Sequence, residues 1–248
     1  MFHIIIFTKD RQCQLNLLSQ SMGKFLDAHQ YENTLITETG KDFEAATKAA
    51  VNSNCEYTMF LPDDCMFTRD VDFSFLDKVF NDIETICFSL RLGIRIDYDL
   101  PLSLPIKPQW MRNIGDNIYT IVWTVNKGYF GYPMSIDGHI FRTKEIAEKI
   151  NELSFENPNQ LETLLSLNPI KKDVMAFNET PSIVNLVLNR IQATHPHNKS
   201  GNFPAELLQR KYDQGDRLDL DKTVDSVKGA NSCHVISNKL YWKGGAND

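Results

Sequence analysis

Short apolar runs alternate with amphipathic stretches through the first third of the chain. Residues 3–7 are almost wholly apolar and stop at Thr8-Lys9-Asp10-Arg11; Leu15, Leu18, Met22 and Phe25 then recur at helical spacing, with Asp10 placed to cap that helix. A second run, 33–37, ends in Glu38-Thr39-Gly40. Phe43, Ala46 and Ala50 mark the helix after it, with Asp42 as its expected cap. A third run, 57–61, ends in Pro62-Asp63-Asp64. This strand–helix alternation predicts an α/β fold with a central, mostly parallel sheet covered on both faces.

Further along, 86–90 reads as a strand followed by Arg91-Leu92-Gly93. Residues 98–111, with Pro101, Pro105, Pro108 and Trp110, read as an irregular excursion of the kind that forms a lid or binding loop. Residues 117–123 alternate as a strand, 127–138 form a loop rich in glycine and aromatics, and Ile146, Ile150 and Leu153 mark a helix. A turn at Asn157-Pro158-Asn159 leads to a short helix with Leu161, Leu164 and Leu165. The rest reads as a strand over 182–192, a polar loop over 194–202, a helix over 205–212 and a last strand over 232–241. With no repeat and no linker, one domain is expected, residues 1 to about 95 forming its nucleotide-binding half and 96–248 its acceptor-binding half.

A chain of 248 residues that is 42% hydrophobic can bury a sizeable core. A net charge of −6 without basic clusters argues against nucleic acid as a partner. The longest early apolar run, Ile4-Ile5-Ile6-Phe7, is too short for a membrane span, so no integral membrane segment is expected. Cys13, Cys55, Cys65, Cys87 and Cys233 are scattered and odd in number; they read as free thiols in a reducing compartment, which gives a cytoplasmic expectation.

In open α/β sheets, ligands sit outside the carboxyl ends of the strands. That rule brings Thr8, Lys9, Arg11, Glu38, Asp63 and Asp64 to one crevice. Adjacent carboxylates such as Asp63 and Asp64 repel each other unless a cation or solvent intervenes, and hard divalent cations take oxygen ligands. The same tripeptide, Pro62-Asp63-Asp64, also satisfies the chemistry of a plain turn.

Phe60-Leu61-Pro62-Asp63-Asp64-Cys65-Met66-Phe67 resembles the metal-binding strand end of GT-A fold glycosyltransferases, above all the family 2-like group and its small viral (algal-virus) and bacterial members. The opening Ile5-Ile6-Phe7-Thr8-Lys9-Asp10-Arg11 is similar to their first strand and donor-binding turn. Phe88-Ser89-Leu90-Arg91-Leu92-Gly93, Gly131-Tyr132-Pro133-Met134-Ser135-Ile136-Asp137-Gly138-His139 and Asn189-Arg190-Ile191-Gln192 follow in the family's order. The resemblance implies a GT-A (Rossmann-like) domain that moves a sugar, with inversion, from a UDP- or GDP-sugar to a carbohydrate hydroxyl, using Mn²⁺ or Mg²⁺.

Residue by residue, the resemblance makes Asp64 the metal ligand and lays Asp63 against the ribose or sugar. Pro62 stands where the family's D-x-D motif begins with an acid, a departure from the pattern. Thr8, Lys9 and Arg11 would contact the nucleotide, Glu38 the base or ribose, and Arg91 the diphosphate or sugar. Asp137 would be the base that takes the acceptor proton; it is expected just before a helix, where Ser135-Ile136-Asp137-Gly138 equally suits a turn or cap. His139 would order that loop or touch the acceptor. His195, His197 and His234 are open alternatives for a further metal ligand, and Tyr129 and Tyr132 are expected on a ligand surface, with Trp123 in the core. Two other readings remain: a sugar nucleotidyltransferase, disfavoured by the glycine-free turn at 8–11, and a non-catalytic nucleotide- or carbohydrate-binding module.

Overall fold

A computed structural model describes residues 2–189 and 199–244. The chain opens with β1 (Phe2–Phe7), α1 (Gln12–Phe25), β2 (Tyr31–Ile36), α2 (Lys41–Val51) and β3 (Tyr57–Pro62), followed by the short β4 (Cys65–Phe67), α3 (Leu76–Phe80) and β5 (Thr85–Ser89). A small hairpin, β6 (Tyr98–Asp99) and β7 (Leu104–Pro105), precedes the longer pair β8 (Arg112–Gly115) and β9 (Ile118–Val122). Two 3₁₀ turns lead to β10 (His139–Arg142), α4 (Thr143–Asn151), α5 (Pro158–Leu167), β11 (Val174–Asn178) and β12 (Ile183–Leu186). The chain closes with α6 (Ala205–Asp213), β13 (Arg217–Leu218), α7 (Leu220–Val227), β14 (His234–Val235) and β15 (Trp242–Lys243).

The main sheet has the order β2-β1-β3-β10-β5-β11-β9-β8. β1 pairs in parallel with both β2 and β3, and β11 does so with β5. β10 runs antiparallel between β3 and β5, and β9 antiparallel between β11 and β8. Following the directions across, all strands but β9 and β10 point one way. The fold is thus of the expected α/β class, with a mixed, mostly parallel central sheet.

Both faces of the sheet are dry at its central strands, which is why β1 and β3 carry unbroken apolar runs. Successive residues point to opposite sides. Ile5, Phe7 and Phe60 face a cluster closed by Phe43, Ile146, Ile150, Leu161 and Leu165 of α2, α4 and α5. Ile4, Ile6, Met59 and Leu61 face Leu18 and Met22 of α1 and Leu76 and Val79 of α3. Fully burying one such side chain is worth roughly 1.5–3 kcal/mol. A third cluster packs Cys13 and Leu17 of α1 against Met66, Val184 and Leu186 of a smaller sheet, β14-β12-β4, and against Leu208, Leu220 and Val224 of α6 and α7.

Several local expectations are corrected. Asp10 does not cap α1: its φ of 53° turns the chain into the left-handed region, and Arg11 takes the cap position with no side-chain capping bond. Asp42 lies inside the first turn of α2, where its charge complements the helix dipole, while Gly40, with φ of 63°, holds the cap position. The excursion 98–111 contains the β6–β7 hairpin, which tolerates Pro105 because a two-residue strand needs few ladder bonds. Within the described part of the strand expected over 182–192 only β12 forms, and the strand expected over 232–241 shrinks to β14, because each pairs only with short partners. The described cysteines are all free, and four of the five are buried. Among the described residues, no helix is long and apolar enough to cross a membrane.

Candidate active site

Thr8, Glu38 and Asp63 follow the carboxyl ends of β1, β2 and β3. Because β10 runs the other way, the residues before its first position lie at the same edge, and these include Asp137. Asp137 therefore precedes a strand, not the helix expected; α4 begins only after β10. Its loop is stitched to both neighbouring strands. The Gly138 amide donates to the Phe60 carbonyl at 2.8 Å, and the Gly138 carbonyl accepts from the Leu90 amide at 3.0 Å. Gly138 has φ of 71°, and a Cβ there would meet Ile183 at 3.0 Å, so glycine suits both the turn and the packing.

These strand ends open onto a crevice of ≈ 660 Å³. Thr8, Lys9, Arg11, Glu38, Asp63, Asp64 and Asp137 all line it, together with Glu162, Asn185 and His234. Arg91 does not: it is 3% exposed and lies behind the wall. One of its terminal nitrogens donates to Asp137 at 2.6 Å and contacts the Asn185 side-chain oxygen at 3.4 Å. Burial works against the Arg91 charge, but Asp137, with smaller contributions from Cys233, Tyr129 and Glu162, raises its pKa overall.

The two adjacent acids have different surroundings. Asp63 is buried, and both its oxygens are engaged, one by the Thr8 hydroxyl at 2.8 Å and the other by Arg11 at 2.5 Å. Burial pushes its pKa up to about 6; the Asp64 charge adds to this, while Arg11 and the Thr8 hydroxyl pull the other way. Asp64 is half-buried and receives one side-chain bond, from Asn185 at 3.2 Å. Glu38 is exposed, with its carboxylate accepting from the Thr37 amide at 2.8 Å, and Lys9 is exposed at the rim.

The smaller sheet supplies the opposite wall. Its register sets Asn185 beside both Cys65, next to Asp64, and His234. The His234 ring bonds the Tyr129 hydroxyl through Nδ1 at 2.8 Å, and its Nε2 lies 3.8 Å from Asp137. Burial, followed by the Arg91 charge, lowers the His234 pKa to about 3, so the ring is neutral at pH 7. Tyr129 is therefore not the ligand surface expected; it is 4% exposed and buttresses His234. Tyr132 and Trp123 are half-buried, and the indole of Trp123 donates to the Lys172 carbonyl at 2.7 Å. His139 does order the loop: it is fully buried and its Nδ1 meets the Pro133 carbonyl at 3.0 Å.

The sequence pattern did not point to Glu162, Asn185 or the Tyr129–His234 pair. Glu162 carries a signal in retrospect, an acid beside the buried Leu161 and on the face of Leu165. The other two had none, because their partners are distant in the chain. Arg190, Ile191, Gln192, His195 and His197 lie outside the described residues. Among the described residues, no three His, Cys, Asp or Glu side chains converge in a way that could hold a metal ion.

No sequence family matches the chain, and no curated protein does. Solved structures do. S. aureus TarS 1–349 in complex with UDP-GlcNAc is 11% identical, with a TM-score of 0.45 over 83% of this chain and 63% of that one. S. aureus TarS 1–349 alone is 12% identical, with a TM-score of 0.42 over 73% of this chain and 59% of that one. The chain thus spans about three fifths of the length of these structures. At such identity the likeness concerns the fold alone.

Proposed function

We propose that the crevice binds a nucleotide-diphosphate sugar and that the protein transfers the sugar to a carbohydrate hydroxyl, with inversion. The observation that carries this reading is the presence of Asp64 and Asp137 on one crevice, at the ends of the neighbouring strands β3 and β10, with a buried arginine behind Asp137. A transferase needs a carboxylate to receive the acceptor proton and a separate means of offsetting leaving-group charge. Asp137, turned into the crevice and fixed by Arg91, is suited to the first task.

Thr8, Lys9 and Arg11, with Glu38 at the rim, form the nucleotide side in this reading, within the half up to about residue 95. Asp63 acts through Arg11 and Thr8, which it holds in place. Residues from 96 onward form the acceptor side.

The described residues do not form a resident metal site, yet two of them suit a cation that arrives with the diphosphate. Asp64 and Nε2 of the neutral His234 would hold Mn²⁺ or Mg²⁺ beside the phosphate oxygens, as hard cations are often held by few protein groups plus substrate. When bound, such an ion offsets the charge of the departing diphosphate. Either way, the protein's own groups orient the donor and receive the acceptor proton at Asp137.

The test is a thermal-shift panel of UDP- and GDP-sugars, with and without Mn²⁺, on the wild type and on Asp64→Ala. A ligand that binds the native state raises the melting temperature. The expected result is stabilisation by one donor class, strengthened by Mn²⁺ only when Asp64 is present, together with slow release of free sugar. Stabilisation by the nucleotide without any sugar release favours a binding module, and no stabilisation at all removes the crevice reading.

A further inference from the structure

Asp137 presents a geometric difficulty. Its carboxylate is engaged by the Arg91 guanidinium at 2.6 Å, and the loop that carries it must be held in one conformation for it to meet an acceptor hydroxyl. A second carboxylate anchors that loop, and α5 brings it.

Glu162 sits in the second turn of α5, whose start is fixed by Asn157 accepting from the Gln160 amide at 3.0 Å. Its Oε1 accepts from the Ser135 hydroxyl at 2.9 Å and from the Ile136 amide at 3.2 Å. Ser135 Oγ in turn accepts from the Asp137 amide at 3.2 Å. One carboxylate oxygen therefore holds three consecutive residues of the loop that presents Asp137.

Resting on the transferase reading above, we propose that Glu162 is a positioning residue for Asp137: its carboxylate clamps the loop through Ser135 and Ile136, and the clamp is strongest when that carboxylate is charged. With Glu162 ionised, its bonds from Ser135 and Ile136 are charge-assisted; with Glu162 neutral, they weaken and the loop is held less firmly. Burial, then the Asp137 charge, pushes the Glu162 pKa up to about 7, while Arg91 and the two loop bonds oppose this. The titratable or charged groups that act on Glu162 among the described residues are Asp137, Arg91 and Tyr132, whose hydroxyl is in turn pushed up by burial and by Glu162. Glu162 thereby makes activity respond to pH near neutrality, the rate rising as it ionises.

Glu162→Gln is the informative variant, because an amide oxygen can still accept from Ser135 and Ile136 while the charge is gone. Carboxyl ¹³C NMR of the glutamate-labelled full chain reads the coupling without any turnover. One glutamate should titrate near pH 7, vanish in Glu162→Gln and titrate lower in Asp137→Asn. Hydrolysis of whichever UDP- or GDP-sugar stabilises the wild type is then followed from pH 5.5 to about 8.5. The wild-type rate should climb through an inflection near pH 7. Glu162→Gln should lose the inflection and fall roughly tenfold at pH 8, with the donor Kd unchanged. A glutamate that titrates at its ordinary value, an unchanged pH profile in Glu162→Gln, or a loss confined to donor affinity overturns the role of Glu162 alone. Absence of hydrolysis by the wild type with every donor overturns the transferase reading, and this role with it.

Discussion

Two arginine–aspartate pairs stand at the ends of the neighbouring strands β3 and β10, and they are built in opposite senses. In Arg11–Asp63, 2.5 Å apart, the carboxylate is the deeper partner, with side-chain exposures of 11% for the arginine and 4% for the aspartate. In Arg91–Asp137, 2.6 Å apart, the arginine is the deeper one, at 3% against 15%. The same ion pair thus presents a cation in one case and a carboxylate in the other. Arg11 is offered to the crevice by a buried acid that also holds Thr8, and Asp137 is offered by a buried base that also touches Asn185. Which member of a pair is buried decides which one is available for chemistry.

The largest expected effect of that difference is catalytic. Asp137→Asn keeps the size of the side chain and an oxygen for Arg91 but removes the proposed base. Donor hydrolysis should fall about 10²–10⁴-fold, the usual span for losing a general base, while stabilisation by the donor in a thermal-shift assay persists. Asp63→Asn, the matching change in the other pair, should weaken donor binding more than turnover. Equal losses of turnover in the two variants would erase the distinction between the pairs.

The Arg11–Asp63 part of the crevice was legible in the sequence. β1, β2 and β3 are consecutive parallel units, so apolar runs gave their positions and the strand-end rule gave Thr8, Glu38, Asp63 and Asp64. The Arg91–Asp137 part was not. Asp137 was found through resemblance, but its setting was misjudged because nothing local shows that β10 inserts antiparallel between β3 and β5. His234 was one of three equal candidates, and only the register of β12 with β14 sets it opposite Asn185. Tyr129 stands in a glycine-rich segment that looks solvent-facing, yet its ring packs in the main core. Periodicity reports what a residue's own element does; these placements depend on contacts about fifty to one hundred residues away.

A second effect should appear in stability. Arg11→Met strands Asp63 in a dry site, and breaking a buried pair in this way costs about 3–5 kcal/mol. Arg91→Met leaves Asp137 facing the crevice, where water can solvate it, so about 1–3 kcal/mol is expected. Urea unfolding at pH 8 compares the two. At pH 5 the Arg11→Met deficit should shrink, because Asp63 can escape its unpaired charge by taking up a proton. A larger cost for Arg91→Met at pH 8 would reverse the inferred order of burial.

The smallest effect isolates Asp63 itself. Its folded pKa, about 6, lies above the ordinary value of 3.8, because burial outweighs the help from Arg11 and Thr8. A carboxylate whose pKa rises on folding contributes stability that is fully present below its unfolded value and is lost as pH rises through its folded value. Asp63→Asn cannot ionise and so is free of that loss. Measured with a chelator present, the stability of Asp63→Asn relative to wild type should therefore improve between pH 4 and pH 7. The gain is about 2–3 kcal/mol at most, because a tenfold change in proton affinity between the folded and unfolded chain corresponds to about 1.4 kcal/mol. Glu162, His139 and His234 titrate over neighbouring ranges in both proteins, so the difference between the two curves removes their contribution. A difference that moves the other way would mean that Arg11 overcomes burial, leaving Asp63 favoured as an ion and the two pairs alike in their electrostatics.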